Sequence, residues 1–458
     1  MSGTWEYWVD EVGRIKCASD ADGHPVAQLV VEGARATSLG PLGKPARDLL
    51  RVVESAAEAD RLSLRARADA PRAPIKVRWQ REIALHVAVE DPDRWRRAAA
   101  RLEALLSFMT DDHWRIDFDG IRQPVVIQQP LPLPDPDQVD EIALFSGGLN
   151  SVIGAAARMR EGRRVLTVSQ YGNNVRLGTL RRSLRSLDPI HSKRRALLLN
   201  HRLSGKKPRI AETSRRSRGA MFLVMGAAAA SHLGKPGFSF YETGVGCINL
   251  PLNRTQVASQ ASRAMHPRTI LLFERLIAMV LDRPIYVASP FFLHTKGELC
   301  QLVEPGFLAQ LALVSNSCDE TDARKPDPVD HCGVCMSCLF RRIARHHAIP
   351  FDDPTPYRDC EGKRGAYELA ALEHHVSELE QCRSLDDIAD IDPNARFAEF
   401  ARTQSSPERR VSKSEVLELY GRYRCEARRF LEEARPMLGP PPRKPRRTDK
   451  GDLLDAAR

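Results

Sequence analysis

From Glu141 onward, short apolar runs alternate with stretches of helical periodicity, and this alternation limits the architecture more than any other feature of the chain. Residues 142–145, 165–170, 196–200, 238–241 and 285–288 read as buried strands, and residues 151–160, 180–187 and 220–233 as helices between them. Strands interleaved with helices form a parallel sheet covered on both faces, with ligands at the carboxyl ends of the strands. The expected fold class is α/β, built on a doubly wound parallel sheet.

The flanks read differently. Residues 1–123 predict an N-terminal α+β domain, with strands at 4–8, 75–79 and 83–89 and amphipathic helices at 46–59 and 93–109. Its histidines, His86 and His113, read as packed or surface residues rather than ligands. Pro124, Pro130, Pro132, Pro134 and Pro136 mark a linker at 124–139, too rich in fixed φ angles for a helix or central strand. The α/β domain is expected at 140–349. A helical C-terminal extension follows at 350–438, with its clearer helices at 367–379 and 413–433, and then a basic tail at 439–458 with no material for a core.

Apolar residues make up 42% and charged residues 28% of the 458, which points to a folded protein rather than a disordered chain. The longest apolar stretch, 219–233, contains Ser231 and His232 and is shorter than the roughly 20 residues that cross a bilayer, so no membrane association is expected. The first ten residues carry Glu6 and Asp10 and no apolar run, so a cytoplasmic location is expected. Cysteines there stay reduced, and closely spaced ones read as metal ligands. The net charge of +10 is uneven: residues 176–218 hold fourteen basic residues against Asp188 and Glu212, a net +12. Such a zone faces phosphates or an acidic partner.

Two motifs carry chemistry. Ser146-Gly147-Gly148-Leu149-Asn150-Ser151 leaves the first strand of the α/β region and enters a helix. The glycines allow a sharp turn that aims successive N–H groups and the helix N-terminus at one anion, and Ser146 and Ser151 add hydroxyl donors, so the loop suits pyrophosphate or triphosphate. By itself a Ser-Gly-Gly is commonly a plain surface turn; its place at a strand's carboxyl end raises the functional reading. It has neither the Gly-Lys-Ser/Thr ending of a Walker loop nor a dinucleotide fingerprint.

The second motif is stronger. Cys332, Cys335 and Cys338 stand at three-residue intervals, and Cys318 precedes them with thirteen residues between. Four thiolates so spaced close a tetrahedral zinc site with no position open for water, hence a structural one. His331 is an alternative to Cys318 as the fourth ligand. Cys17, Cys247, Cys300, Cys360, Cys382 and Cys425 are scattered and read as ordinary packed residues, with Cys247 the one to check.

Together these features resemble the PP-loop (HUP-like) ATP pyrophosphatases, and within them the 7-cyano-7-deazaguanine synthase family, QueC, over roughly residues 141–342. The landmarks are the loop 146–151, Ser217-Arg218-Gly219-Ala220-Met221-Phe222-Leu223 at the head of the apolar helix, Thr295-Lys296, the four cysteines and Arg341. Glu242-Thr243-Gly244 with Asn249-Leu250-Pro251, and Ser262-Arg263-Ala264-Met265-His266-Pro267, look like a longer subgroup found in bacterial antiphage systems. The N-terminal Trp79, Trp95 and Asp111-Asp112-His113-Trp114 look like that subgroup too.

The resemblance implies ATP, Mg²⁺ and Zn²⁺ as cofactors and a 7-deazaguanine-type carboxylate as substrate. It implies that Ser146, Gly147, Gly148, Leu149, Asn150 and Ser151 hold the phosphates, that Lys296 and Arg218 neutralise them, and that Tyr171-Gly172 line the adenosine. Glu242, Thr243, Gly244 and Asn249 would shape the base pocket, with Arg263 and His266 as further candidates. Without the resemblance, Lys296 reads as a solvated helix-start lysine, Arg218 as part of a basic face, and Tyr171 as core. One residue departs from the family: Asn150 stands where the loop usually has Asp, and an amide brings no negative charge to Mg²⁺. Another carboxylate could substitute, or nucleotide could bind with weak turnover.

The leading expectation is an enzyme that adenylates the carboxylate, releases pyrophosphate and passes the acyl group to the amino terminus of a partner protein. Alternatives are ammonia as the amine, as in queuosine biosynthesis; a tRNA-modifying PP-loop enzyme gripping RNA with its basic segment, which the scarcity of interleaved aromatics disfavours; and a non-catalytic nucleotide-binding module.

Overall fold

The computed structural model describes residues 4–17, 27–28, 42–65, 80–122, 136–171, 174–187, 195–200, 212, 216–252, 263–318, 331–350, 353–358, 363–406 and 410–434. Strand 75–79, the linker prolines 124–134, Gly172, most of the basic zone after residue 200 and the tail from 435 lie outside them.

The N-terminal part, expected as α+β, combines helices with a mixed sheet of parallel and antiparallel strands. Strands β1 (Thr4–Val9), β2 (Arg14–Cys17), β3 (Ala27–Gln28), β4 (Glu82–Val89) and β5 (His113–Gly120) form one sheet in the order β3-β2-β1-β4-β5. β1, β4 and β5 are parallel, which requires crossovers. Helix α1 (Lys44–Leu62) makes one and α2 (Pro92–Thr110) the other. β5 is not among the expected strands, yet its alternation is plain: Trp114, Ile116 and Phe118 are buried while His113, Arg115 and Asp117 face outward. His86, read as packed or surface, stacks on the exposed Trp8 with ring centroids 5.1 Å apart.

The second sheet is parallel throughout. β6 (Glu141–Leu144), β7 (Val165–Tyr171), β8 (Arg195–Asn200), β9 (Gly237–Phe240) and β10 (Tyr286–Ala288) take the order β10-β9-β6-β7-β8. β6 is central and buried at every position. Ile142 and Leu144 face one apolar cluster, which includes helix α5 (Arg218–His232); Ala143 and Phe145 face another, which includes helix α3 (Leu149–Arg160). Helices therefore cover both faces. The chain moves outward from β6 through β7 and β8, then resumes at β9 on the other side. The direction reverses between β6 and β9, where a crevice opens at the carboxyl ends of open α/β sheets.

Helix α5 is buried from Gly219 to Ala230 because it lies between the sheet and α1. A Cβ on Gly226 would come 2.6 Å from the Phe238 ring, so only glycine permits this approach. The same apolar cluster runs on into the N-terminal sheet and its helices. Polar contacts cross the seam as well: Asp60 accepts from Ser217 N and Oγ (3.1 and 2.6 Å), and Arg216 pairs with Asp111 at 2.7 Å.

Next along the chain come α4 (Asn174–Arg185), α6 (Gly244–Ile248), α7 (Pro267–Val280), α8 (Lys296–Gln301), α9 (Pro305–Val314) and α10 (Met336–Ala348). The C-terminal region is helical as expected, with α11 (Lys363–Gln381), α12 (Leu385–Ile391), a 3-10 turn at Pro393–Phe400 and α13 (Lys413–Ala434). α13 is packed into the body, with Leu419, Tyr420 and Tyr423 buried in the large cluster. Among the described residues no helix is long and apolar enough to cross a membrane.

Candidate nucleotide site and metal centre

Because all five strands of the second sheet are parallel, the segments leaving their carboxyl ends emerge on one rim. Ser146 follows β6, Tyr171 ends β7, Arg218 opens the helix after β8, Glu242 follows β9, and Lys296 opens the first helix after β10. Residues scattered over 150 positions of sequence are thereby assigned to one edge.

The loop after β6 is tightly organised. Phe145 N continues the sheet by donating to Val168 O at 2.8 Å. Gly147 then takes φ 76°, a conformation that costs an ordinary L residue roughly 1–2 kcal/mol. Gly148 N donates to Ser146 Oγ (3.2 Å), Ser151 Oγ donates to Gly148 O (2.8 Å), and the two serine hydroxyls lie 3.3 Å apart. Gly148 caps α3 without a side chain, so the cap itself supplies no oxygen to the amides of the first turn.

Glu242 reaches this loop from β9. The Asn150 amide Nδ2 donates to Glu242 Oε1, which also accepts from Thr243 N at 3.0 Å. Gly246 makes room behind it: a Cβ there would lie 2.8 Å from Glu242 Cδ. The resemblance implies that Glu242 shapes a base pocket; in the structure its carboxylate accepts from the side chain of Asn150. Asn150 Oδ1, Ser169 Oγ and Gln170 Oε1 are buried with no hydrogen-bond partner among the described residues. A buried polar atom left unpaired costs roughly 1–3 kcal/mol; Asn150 stands at the start of α3 beside Glu242, whereas Ser169 and Gln170 are successive β7 residues whose side chains leave opposite faces of the sheet.

The sulfur quartet adjoins the loop. The Sγ atoms of Cys318, Cys332, Cys335 and Cys338 all lie within 4.8 Å of one another, and all four residues are buried. Gly333 at φ 85° turns the chain between the first two thiols of the run, and Cys335 caps α10, which carries Cys338. Backbone amides point at sulfur, Cys332 N to Cys318 Sγ (3.4 Å) and Cys335 N to Cys332 Sγ (3.2 Å), which favours thiolates. Contact with Cys318 lowers the Cys332 thiol and raises Cys338, because thiols this close cannot keep their protons independently. Four converging soft donors with this backbone support fit a tetrahedral divalent cation such as zinc. His331 plays another part, with its Nε2 accepting from Ser317 N at 3.3 Å, and Cys318 supplies the fourth sulfur.

Two residues that the sequence does not single out join these features. Asn316 N donates to Gly147 O (2.9 Å) and Ser317 Oγ accepts from Leu149 N (3.2 Å), while Asn316 Oδ1 accepts from Cys318 N (3.1 Å). The buried Arg341 holds this segment from behind, donating to Ser315 Oγ (3.0 Å) and Ala312 O (2.6 Å). Their only signal in the sequence is that they precede Cys318.

Other expected site residues separate. Thr243 and Gly244 begin α6, which Asn249 ends in the left-handed region at φ 51°. Cys247 beneath it is buried, and burial pushes its thiol well above the ordinary range, so it is not a reactive group. Arg218 lies over the Phe222 ring of its own helix, 5.8 Å away. Lys296 opens α8, which packs on α3. Of Tyr171 only the backbone, at the end of β7, is described. Arg263 and His266, expected at the substrate pocket, are engaged in the seam with the N-terminal part. Arg263 donates to Phe108 O at 3.0 Å and pairs with Asp111. His266 caps α7, with Nδ1 accepting from Arg268 N at 3.1 Å, and packs on Phe108; burial, helped by Arg263 and Arg268, lowers its pKa to about 3. Arg263 is held by these contacts, while His266 Nε2 is buried with no hydrogen-bond partner among the described residues.

Compared with models of known protein families the chain matches none, and no curated protein matches it in sequence.

Proposed function

We propose that the protein is a PP-loop enzyme of the doubly wound type that activates a 7-carboxy-7-deazaguanine-type carboxylate with ATP and transfers it to an amine. The observation that carries this reading is the Ser146–Ser151 turn at the strand-order reversal, with Glu242 accepting from its Asn150 side chain.

In the reaction a carboxylate oxygen attacks the α-phosphorus, the bond to pyrophosphate breaks, and an acyl adenylate forms. An amine nitrogen then attacks the acyl carbon, AMP departs, an amide forms and the nitrogen's proton passes to solvent. The protein's share is positioning and charge stabilisation. Ser146, Gly147, Gly148 and Ser151 cradle the departing pyrophosphate; Lys296 and Arg218 supply positive charge from the same rim. Mg²⁺ would neutralise the phosphates, and Glu242 with Asn150 offers it a carboxylate and an amide oxygen. Zinc in the quartet is structural and takes no part in the steps. The antiphage-type subgroup favours a protein amino terminus as acceptor, with ammonia as the alternative.

Pyrophosphate release on mixing the protein with ATP, Mg²⁺ and 7-carboxy-7-deazaguanine is the expected result, and loss of that release in Ser146→Ala ties it to the loop. Nucleotide binding without release, with ammonium also supplied, would overturn the enzymatic reading in favour of a binding module. Salt-dependent retention of tRNA together with that absence of release would redirect it to RNA modification.

A further inference from the structure

The C-terminal helix α13 lies beyond the region that carries the nucleotide motifs, yet it grips the turn that presents Lys296. Thr295 caps α8 through a reciprocal box: Glu298 N donates to Thr295 Oγ1 (3.0 Å) and Thr295 N to Glu298 Oε2 (2.9 Å). Four contacts from α13 close over this box. The Thr295 hydroxyl donates to Glu426 Oε1, and the Gly297 amide also donates toward that carboxylate. Arg422 Nε donates to Glu298 Oε1 (2.6 Å), and Arg422 Nη2 donates to Leu293 O (2.7 Å). The approach is close enough to require Gly297, where a Cβ would sit 2.7 Å from both Glu426 Oε2 and His347 Cδ2.

Glu426 is only 4% exposed, an unusual place for a carboxyl on the last described helix. It is not held by a guanidinium, since Arg422 is spent on Glu298 and Leu293. Groups facing it are Glu298 and Cys300 on α8, His347 on α10 with Nε2 at 3.6 Å, and Arg422 and Tyr423 on its own helix. Burial lowers the His347 pKa, which disfavours its charged form beside the carboxyl. The carboxyl is therefore placed by donated hydrogen bonds rather than by an ion pair.

We propose that Glu426 is a positioning residue: by clamping the first turn of α8 it sets where Lys296 stands at the carboxyl rim, which makes the C-terminal helix part of the site. The assignment rests on the reading of Lys296 as a phosphate-neutralising group. Burial, partly offset by the bond from Thr295, raises the Glu426 carboxyl to about 7. Both hydrogen bonds are donated to it, so the ionised form holds the turn more firmly than the neutral form.

The test uses the full chain with Glu426→Ala and Glu426→Gln. Misplacing a positive charge by a fraction of its reach is expected to lower kcat/KM for pyrophosphate release roughly tenfold to a hundredfold in E426A, with zinc content unchanged. Wild-type kcat/KM is expected to rise with pH through about 7. In E426Q, which folds with one acceptor oxygen kept, that rise disappears and the rate stays at its low-pH level. Amide exchange measured by mass spectrometry is expected to quicken at residues 295–300 in E426A and not in the loop 146–151. Unaltered kinetics and pH profile in both variants would overturn the proposal. Should wild type release no pyrophosphate, the reading of Lys296 fails separately; faster exchange at 295–300 then still upholds the clamp, and unchanged exchange overturns it.

Discussion

The sulfur quartet and the Ser-Gly-Gly turn are joined through Asn316 and Ser317, yet they are opposite kinds of site. The quartet is complete: four like donors converge, all are buried, and backbone amides support their charge. The turn is more open: its cap Gly148 brings no side chain, Ser317 Oγ meets the first amide of α3 from outside the loop, and the buried Asn150 Oδ1 is without a partner among the described residues. A closed donor set holds a cation for stability, whereas an open polar set exists for a ligand that arrives and leaves. Their adjacency gives the closed site a purpose, since the segment that Cys318 anchors also fixes Gly147 and Leu149.

The sharpest way to break this comparison is to open the closed site. Cys332→Ser is expected to take bound zinc, measured by elemental mass spectrometry, from one per chain to near none, and to lower the thermal midpoint by about 10 °C or more. Pyrophosphate affinity should fall with it, because Asn316 and Ser317 lose their anchor. Unchanged zinc content would sink the closed-site reading, and unchanged pyrophosphate affinity in a zinc-free chain would sink the coupling.

Glu242 tests the open site. Glu242→Ala is expected to cost roughly a hundredfold in kcat/KM, about 3 kcal/mol, by removing the loop's carboxylate and leaving Asn150 Nδ2 unpaired. Asn150→Asp sets a second carboxylate against Glu242, and like charges at that separation resist joint ionisation. A fall in rate in Asn150→Asp means Glu242 already fills the missing role. A large gain means that it does not.

The third effect is a slope. Glu426 has a folded-state pKa of about 7 against an ordinary 4.5. The native chain thus holds this proton more tightly than the unfolded one, so the group's stabilisation is complete below about 4.5 and is lost as pH rises through about 7. Denaturant titrations of wild type and Glu426→Gln, whose neutral side chain stands in for the protonated acid, should converge toward low pH and separate as pH rises through about 7, with wild type losing stability. The smallest effect belongs to Cys425, exposed and far in sequence from the quartet: Cys425→Ser should leave zinc content and rate unchanged, and any zinc loss there would weaken the assignment of the four ligands.

Much of this is legible in the linear chain. The five strands of the second sheet all stand within a few residues of their expected positions, because a strand buried on both faces leaves a continuous apolar run. β5 is missed although Trp114, Ile116 and Phe118 alternate with polar residues as a half-buried strand requires. Arg263 and His266 read as pocket residues from their place in a motif; that Arg263 pairs with Asp111 and His266 Nδ1 caps a helix is visible only in the structure.

Sequence alone determined what local pattern encodes: the alternation of strand and helix, the turn that only glycine fits at Gly147, and four cysteines whose spacing brings them around one centre. Tertiary structure alone decided the pairings across long separations, where Glu242 meets Asn150 from 92 positions away, Ser317 meets Leu149 from 168 and Glu426 meets Thr295 from 131. The reason is physical. Periodicity and backbone geometry act over a few residues and leave their mark on composition, whereas a single hydrogen bond between distant segments depends on how whole elements pack, and no neighbouring residue need change to record it.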